Sequence, residues 1–170
     1  MLDLETMWKS TKELAIAPDW KPRAQDEFVR LVCPLDIDGI TVQGLQFTAS
    51  AHIYSPERSV TLQIEYHPPT RSHRGGAMSR IEWRPRSPHN NKGIGPPEYR
   101  HIVQAGCHWH PFDLNWDHSE STVRKGGLPI ATPIVPGFQN LQEALAFAEK
   151  MFRIETLKGV PVPPWTERIL

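Results

Sequence analysis

Residues 45–66 constrain the fold more than any other stretch of this chain. Leu45, Phe47, Ala49, Ala51 and Ile53 alternate with Gln46, Thr48, Ser50 and His52. After the turn residues Ser55-Pro56-Glu57-Arg58, Val60, Leu62, Ile64 and Tyr66 alternate with Thr61, Gln63 and Glu65. A period of two places each apolar set on one side of a pleat and each polar set on the other, which only a strand with one buried and one wet face satisfies. Two such runs joined by a proline-containing turn predict an antiparallel hairpin. Asp38-Gly39 predicts a second tight turn, between a strand over 28–35 and one over 40–54.

Helical periodicity brackets these strands. Leu4, Met7, Trp8, Thr11, Leu14 and Ala15 recur at helical spacing, with Asp3 as N-cap and Pro18 as terminator, and predict a first helix and linker over 1–20. Asn140 and Glu143 form a capping-box pattern, and Leu141, Ala144, Leu145, Ala148, Met151 and Phe152 supply an apolar stripe that predicts a helix over 141–157. Between them, a linker over 67–77, a short strand over 80–84, a loop over 85–97 and an extended segment over 99–112 are expected. The proline-rich tail, residues 160–170, reads as extended, held down only if Trp165 finds a hydrophobic groove. The expectation is one α+β domain over 1–170: an antiparallel sheet of five or six strands, with an N-terminal helix and a C-terminal helix packed on it.

Composition narrows the setting. The 170 residues carry no formal net charge, so no global field draws the chain to nucleic acid or an anionic membrane. Cys33 and Cys107 are too few for a disulfide framework or a four-cysteine zinc site, and fit a reducing compartment. With Asp3 and Glu5 ahead of any apolar stretch and no long apolar run, the expected location is cytoplasmic, with no membrane partner.

The chemistry-bearing residues crowd into the second half. In Gly106-Cys107-His108-Trp109-His110 the two histidines leave a strand on the same side, about 7 Å apart, with Cys107 and Trp109 on the other. Such a pair suits an acid and a base, or two metal ligands, and is equally compatible with a strand that has no catalytic role. His89 joins them as the third member of an expected catalytic set; a metal would recruit Asp113, His118 or His89 as its third ligand. The expectation without cofactor is metal-free chemistry, because the spacing matches no strong metal signature. Arg71, Arg74, Arg80, Arg84, Arg86, Lys92 and Arg100 outnumber Glu82 and Glu98, giving this neutral chain a basic middle. Arg84, Arg86 and Arg100 are the expected phosphate contacts; alternatively, Arg80, Glu82 and Arg84 form the solvated side of a strand.

At Ile81-Glu82-Trp83-Arg84, Pro88-His89-Asn90, Cys107-His108-Trp109-His110 and the helix after Phe138, the layout resembles small uncharacterised prokaryotic proteins related to TumE-like toxins. The resemblance is one of order and spacing and covers residues 78–155. Glu82 supplies the acidic residue expected beside the basic one; the 85–97 loop is longer than in that family, and residues 1–77 have no counterpart. The resemblance implies a toxin–antitoxin or phage-defence context with action on RNA. Three functions follow as expectations: a nucleic-acid-directed enzyme using His89, His108 and His110; a non-catalytic module that binds or inhibits a cognate protein partner; and a metal-dependent hydrolase.

Overall fold

A computed structural model describes residues 3–23, 27–69 and 75–166. The α+β class holds: an antiparallel sheet carries the fold, and the expected hairpins lie at its centre. The strands are β1 (Glu13–Leu14), β2 (Trp20–Pro22), β3 (Phe28–Ile37), β4 (Ile40–His52), β5 (Val60–Tyr66), β6 (Gly76–Trp83), β7 (His89–Asn90), β8 (Val103–Gln104), β9 (His108–His110) and β10 (Thr132–Pro133). Eight of them form one sheet in the order β1-β3-β4-β5-β6-β9-β10, with β2 also paired to β3; β7 and β8 form a separate two-stranded ribbon. The strand count therefore exceeds the expected five or six, because pairs only two or three residues long have no periodicity to read. Asp38 and Gly39 both take positive φ, 52° and 73°, as a two-residue hairpin turn between right-twisted strands requires.

Several local expectations need correction. Helix α1 is Leu4–Lys9, capped by the Asp3 carboxylate on the Thr6 N–H, and does not extend to Ala15. Beyond Ser10 the backbone leaves helical geometry and Lys12 bridges to Ile154, so tertiary pairing overrides a weak stripe. The strand expected over 80–84 begins at Gly76, where the 67–77 linker was expected to run. The extended segment expected over 99–112 breaks into a 3-10 turn at Pro97–Tyr99, β8 and β9, and Phe112 already opens helix α2 (Phe112–His118), followed by α3 (Glu120–Val123).

The C-terminal helix α4 (Leu141–Phe152) is capped as expected, with the Asn140 side chain accepting from the Glu143 N–H at 3.0 Å. It stops at Arg153, which takes a left-handed conformation, rather than reaching residue 157. Its buried stripe, Leu141, Ala144, Leu145, Ala148 and Phe152, joins Leu31, Phe47, Leu62, Ile64, Ile81 and Trp83 of the sheet in one hydrophobic cluster. The Trp83 indole N–H reaches the Phe138 carbonyl at 3.1 Å, tying the entry of α4 to β6. Trp165 packs against the same cluster, and the Thr166 N–H bonds to the Ile53 carbonyl, which holds the described part of the tail.

Lys12 is a cost within this core. It is wholly buried, and its ammonium donates to the Trp8 and Ser10 carbonyls at 3.1 and 2.5 Å. Burial, with Arg153 nearby, lowers its pKa to about 7 from 10.5. Between these two values the unfolded chain binds more protons than the native one, so stability rises with pH across that window. The melting temperature is expected to climb from pH 7 to pH 9, and Lys12→Met to flatten that climb. An equal slope in both proteins would count against the assignment.

Candidate metal centre

The sheet delivers two of the site's residues in register. Thr61, Glu82 and His108 form one cross-strand row over β5, β6 and β9; Gln63, Arg80 and His110 form the next. Two residues apart on β9, His108 and His110 share a side, as their spacing implies. Trp109 faces the other way, against Phe147 of α4, with its indole N–H on the Ser79 hydroxyl at 2.8 Å.

The ribbon of β7 and β8 adds His89 over this face. Its ring centroid lies 4.7 Å from that of His110 and 5.6 Å from that of His108, while His108 and His110 are 5.3 Å apart. One nitrogen from each ring lies within 4.8 Å of those of the other two. The expected trio therefore meets in one place. Asp113 does not join it: this exposed residue accepts from the Trp8 indole at 3.4 Å. Of the three alternatives for a third ligand, His89 is the one that the fold brings in; His118 is exposed on α2.

Residues 128–131 close the site, and they are held almost wholly by side chains. His110 Nδ1 donates to the Leu128 carbonyl at 2.8 Å and His89 Nε2 to the Pro129 carbonyl at 3.1 Å. Asn115 donates to the Ile130 carbonyl and accepts from the Ile130 N–H; Asn91 does the same for Ala131, whose carbonyl also accepts from Gln104. A buried irregular segment must find partners for its peptide groups, and two buried asparagines imitate a neighbouring strand here. Asn91, Asn115 and Gln104 have no assigned role in the sequence, since amides in a loop region carry no pattern that marks them as buried.

These bonds assign the tautomers. Asn91 donates its amide to two carbonyls, Tyr99 and Ala131, so its oxygen faces His89, and His89 Nε2 must carry the hydrogen. His108 Nδ1 donates to the Gly106 carbonyl at 2.9 Å. That leaves His89 Nδ1, His108 Nε2 and His110 Nε2 as bare lone pairs. His110 is only 3% exposed and its Nε2 has no hydrogen-bond partner. An unmet buried acceptor costs about 1–3 kcal/mol, so its retention needs a compensating partner.

Burial favours the neutral form of His108 and of His110. Burial pushes His110 down to about 3, helped by His89, Arg80 and His108. Burial also pushes His108 below the ordinary imidazole value, against the opposing pull of its Gly106 bond and of Glu82. The Glu82 carboxylate lies 3.7 Å from His108 Nε2 and 3.7 Å from the Arg80 guanidinium, partly open to solvent at the rim.

The expected phosphate contacts divide. Arg84 and Arg86 line one cleft together with Arg58. Arg100 does not reach it: its guanidinium donates to the Gly95 carbonyl at 2.6 Å and pins the 91–100 loop. Sequence reading counted arginines from position 71 onward and so passed over Arg58, which lies in the β4–β5 turn.

Comparison with known proteins returns no match: no family model, curated protein or solved structure is significantly similar to the chain. Among the described residues, no helix is long and apolar enough to cross a membrane.

Proposed function

We propose that this protein is a metal-dependent hydrolase whose centre is built from His89, His108 and His110. The observation that carries the reading is the convergence of three rings, one of them with a buried nitrogen that has no partner. Each ring has its other nitrogen anchored on a backbone carbonyl, the arrangement that fixes tautomer and aim in metal-ligating histidines. Three imidazoles with a fourth position open are the donor set of a catalytic zinc site, and nitrogen donors suit zinc, nickel, copper and iron alike.

A bound metal supplies a water of lowered pKa and an electrophile for the substrate oxygen. The chain supplies the remainder. Glu82, beside His108 Nε2, takes a proton from the attacking water and returns it to the leaving oxygen, while Arg80 holds the carboxylate in place. The metal-free acid–base reading of the same trio instead needs a protonated ring presented to substrate. Burial of His108 and His110, at 1% and 3% exposure, favours neutral ligands. A toxin or phage-defence role for such an enzyme rests on the motif resemblance alone, and its test is growth inhibition on expression that disappears in His108→Ala.

The direct test is elemental analysis with titration of the chelator-treated protein by Zn²⁺ and Co²⁺. One equivalent per chain is expected, with Co²⁺ giving the visible bands of a nitrogen-rich site. Failure of any divalent transition metal to bind near stoichiometrically would sink the reading.

A further inference from the structure

A cleft of about 480 Å³ opens beside the histidine row, lined by Ser55, Arg58, Ser59, Arg84, Arg86 and Gly106, among others. Its position follows from strand register. Thr61, Glu82 and His108 lie side by side, and Ser59, Arg84 and Gly106 are each two residues further along the same three chain segments, about 7 Å away. Gly106 belongs to both places, since its carbonyl also accepts from His108.

Three guanidiniums gather in this cleft, and the one carboxylate paired with them among the described residues is Glu57, 3.6 Å from Arg84. Arg84 lies over the Trp83 ring and Arg86 over the Phe28 ring, at 5.5 and 5.8 Å to the centroids, so both planes are held. Arg58 has no ion-pair partner among the described residues. Ser59 lines the cleft, and its buried hydroxyl has no hydrogen-bond partner among the described residues. Ser59 and Arg84 both adopt left-handed φ, 54° and 46°, joined by a Ser59 N–H bond to the Arg84 carbonyl at 2.9 Å. Such conformations are strained in residues other than glycine.

We propose that this cleft is the anion subsite of the enzyme, receiving a phosphate group of the substrate while the bond to be cleaved lies at the histidines; it rests on the hydrolase reading for its catalytic meaning. Guanidinium forks and a serine hydroxyl are the donors that phosphate oxygens take, and Arg58 and Arg86 are the two with charge to spare. A terminal phosphomonoester and an internal phosphodiester share this chemistry.

Calorimetric titration of the full chain, with metal removed by chelator, separates the cleft from the metal centre. The probes are inorganic phosphate, a nucleoside 5′-monophosphate and a short oligonucleotide without terminal phosphates. Phosphate and at least one of the other two are expected to bind, with affinity falling about tenfold or more in Arg58→Ala and in Arg86→Ala while metal uptake and melting temperature stay unchanged. Preference for the monophosphate would name a phosphomonoester substrate, and preference for the oligonucleotide a phosphodiester one. Ser59→Ala, expected to fold normally, should weaken binding several-fold. Absence of phosphate binding, or affinity unaltered in both arginine variants, would overturn the proposal. Phosphate binding in a protein that takes up no metal would keep the subsite and remove the hydrolase reading.

Discussion

His110→Ala is expected to lose metal affinity by more than 100-fold, since disturbing only the groups that orient a ligand already costs about 10–100-fold. The loss should be visible in stability as well as in metal content. A metal at 100 times its Kd stabilises the native state by about 2.7 kcal/mol, and each kcal/mol moves the melting temperature of a protein this size by about 2–4 °C. The chelator-treated wild type should therefore gain about 5–10 °C on adding Zn²⁺, and His110→Ala should gain almost nothing. Glu82→Gln separates binding from chemistry. It keeps the three rings and their carbonyl anchors, so its zinc-dependent thermal shift should match the wild type. Removing the proton acceptor should lower kcat on an activated phosphodiester by about 10²–10⁴-fold. Equal thermal shifts in the wild type and His110→Ala would place the metal elsewhere, and full activity in Glu82→Gln would remove the carboxylate from the mechanism.

Trp83→Ala is the substitution expected to damage the fold most. Trp83 is fully buried between the sheet and α4, and its indole N–H satisfies the Phe138 carbonyl. Deleting a buried aromatic costs about 3–5 kcal/mol, and the stranded carbonyl adds about 1–3 kcal/mol. A fall in melting temperature of 10 °C or more is expected on the scale of about 2–4 °C per kcal/mol. Trp83→Phe keeps most of the ring volume and loses the bond, so its deficit should be less than half as large. The site should feel the same change: β6 carries Glu82 next to Trp83, and a loosened β6 shifts the carboxylate relative to His108. A variant that melts within 2 °C of the wild type, roughly 1 kcal/mol on that scale, would show that α4 is held by other contacts.

The parts of this protein legible in its sequence are those governed by a repeating pattern. β4 and β5 are readable because a two-residue period sustained over 45–53 and again over 60–66 has no other folded solution, and α4 because its cap and its stripe agree. The shared side of His108 and His110 follows from the same period. Misreadings fell where the elements are too short for a period, as in the 99–112 segment, or where long-range pairing won over a local stripe, as at Lys12 and Ile154.

Sequence alone determined the α+β class, the central hairpins, the C-terminal helix and the shared side of His108 and His110. Tertiary structure alone decided that His89 reaches the other two, that Arg58 joins Arg84 and Arg86, and that Arg100 does not. The physical reason is that His89 and Arg100 lie on loops whose course is set by buried asparagines and by carbonyls at residues 128–131, while Arg58 and Arg84 are brought together where the ends of β5 and β6 pair through the Ser59 N–H and the Arg84 carbonyl. Hydrogen bonds spanning 15 to 40 residues of chain leave no local trace, because each amide becomes a partner only after the sheet has placed it beside a peptide group that water cannot reach.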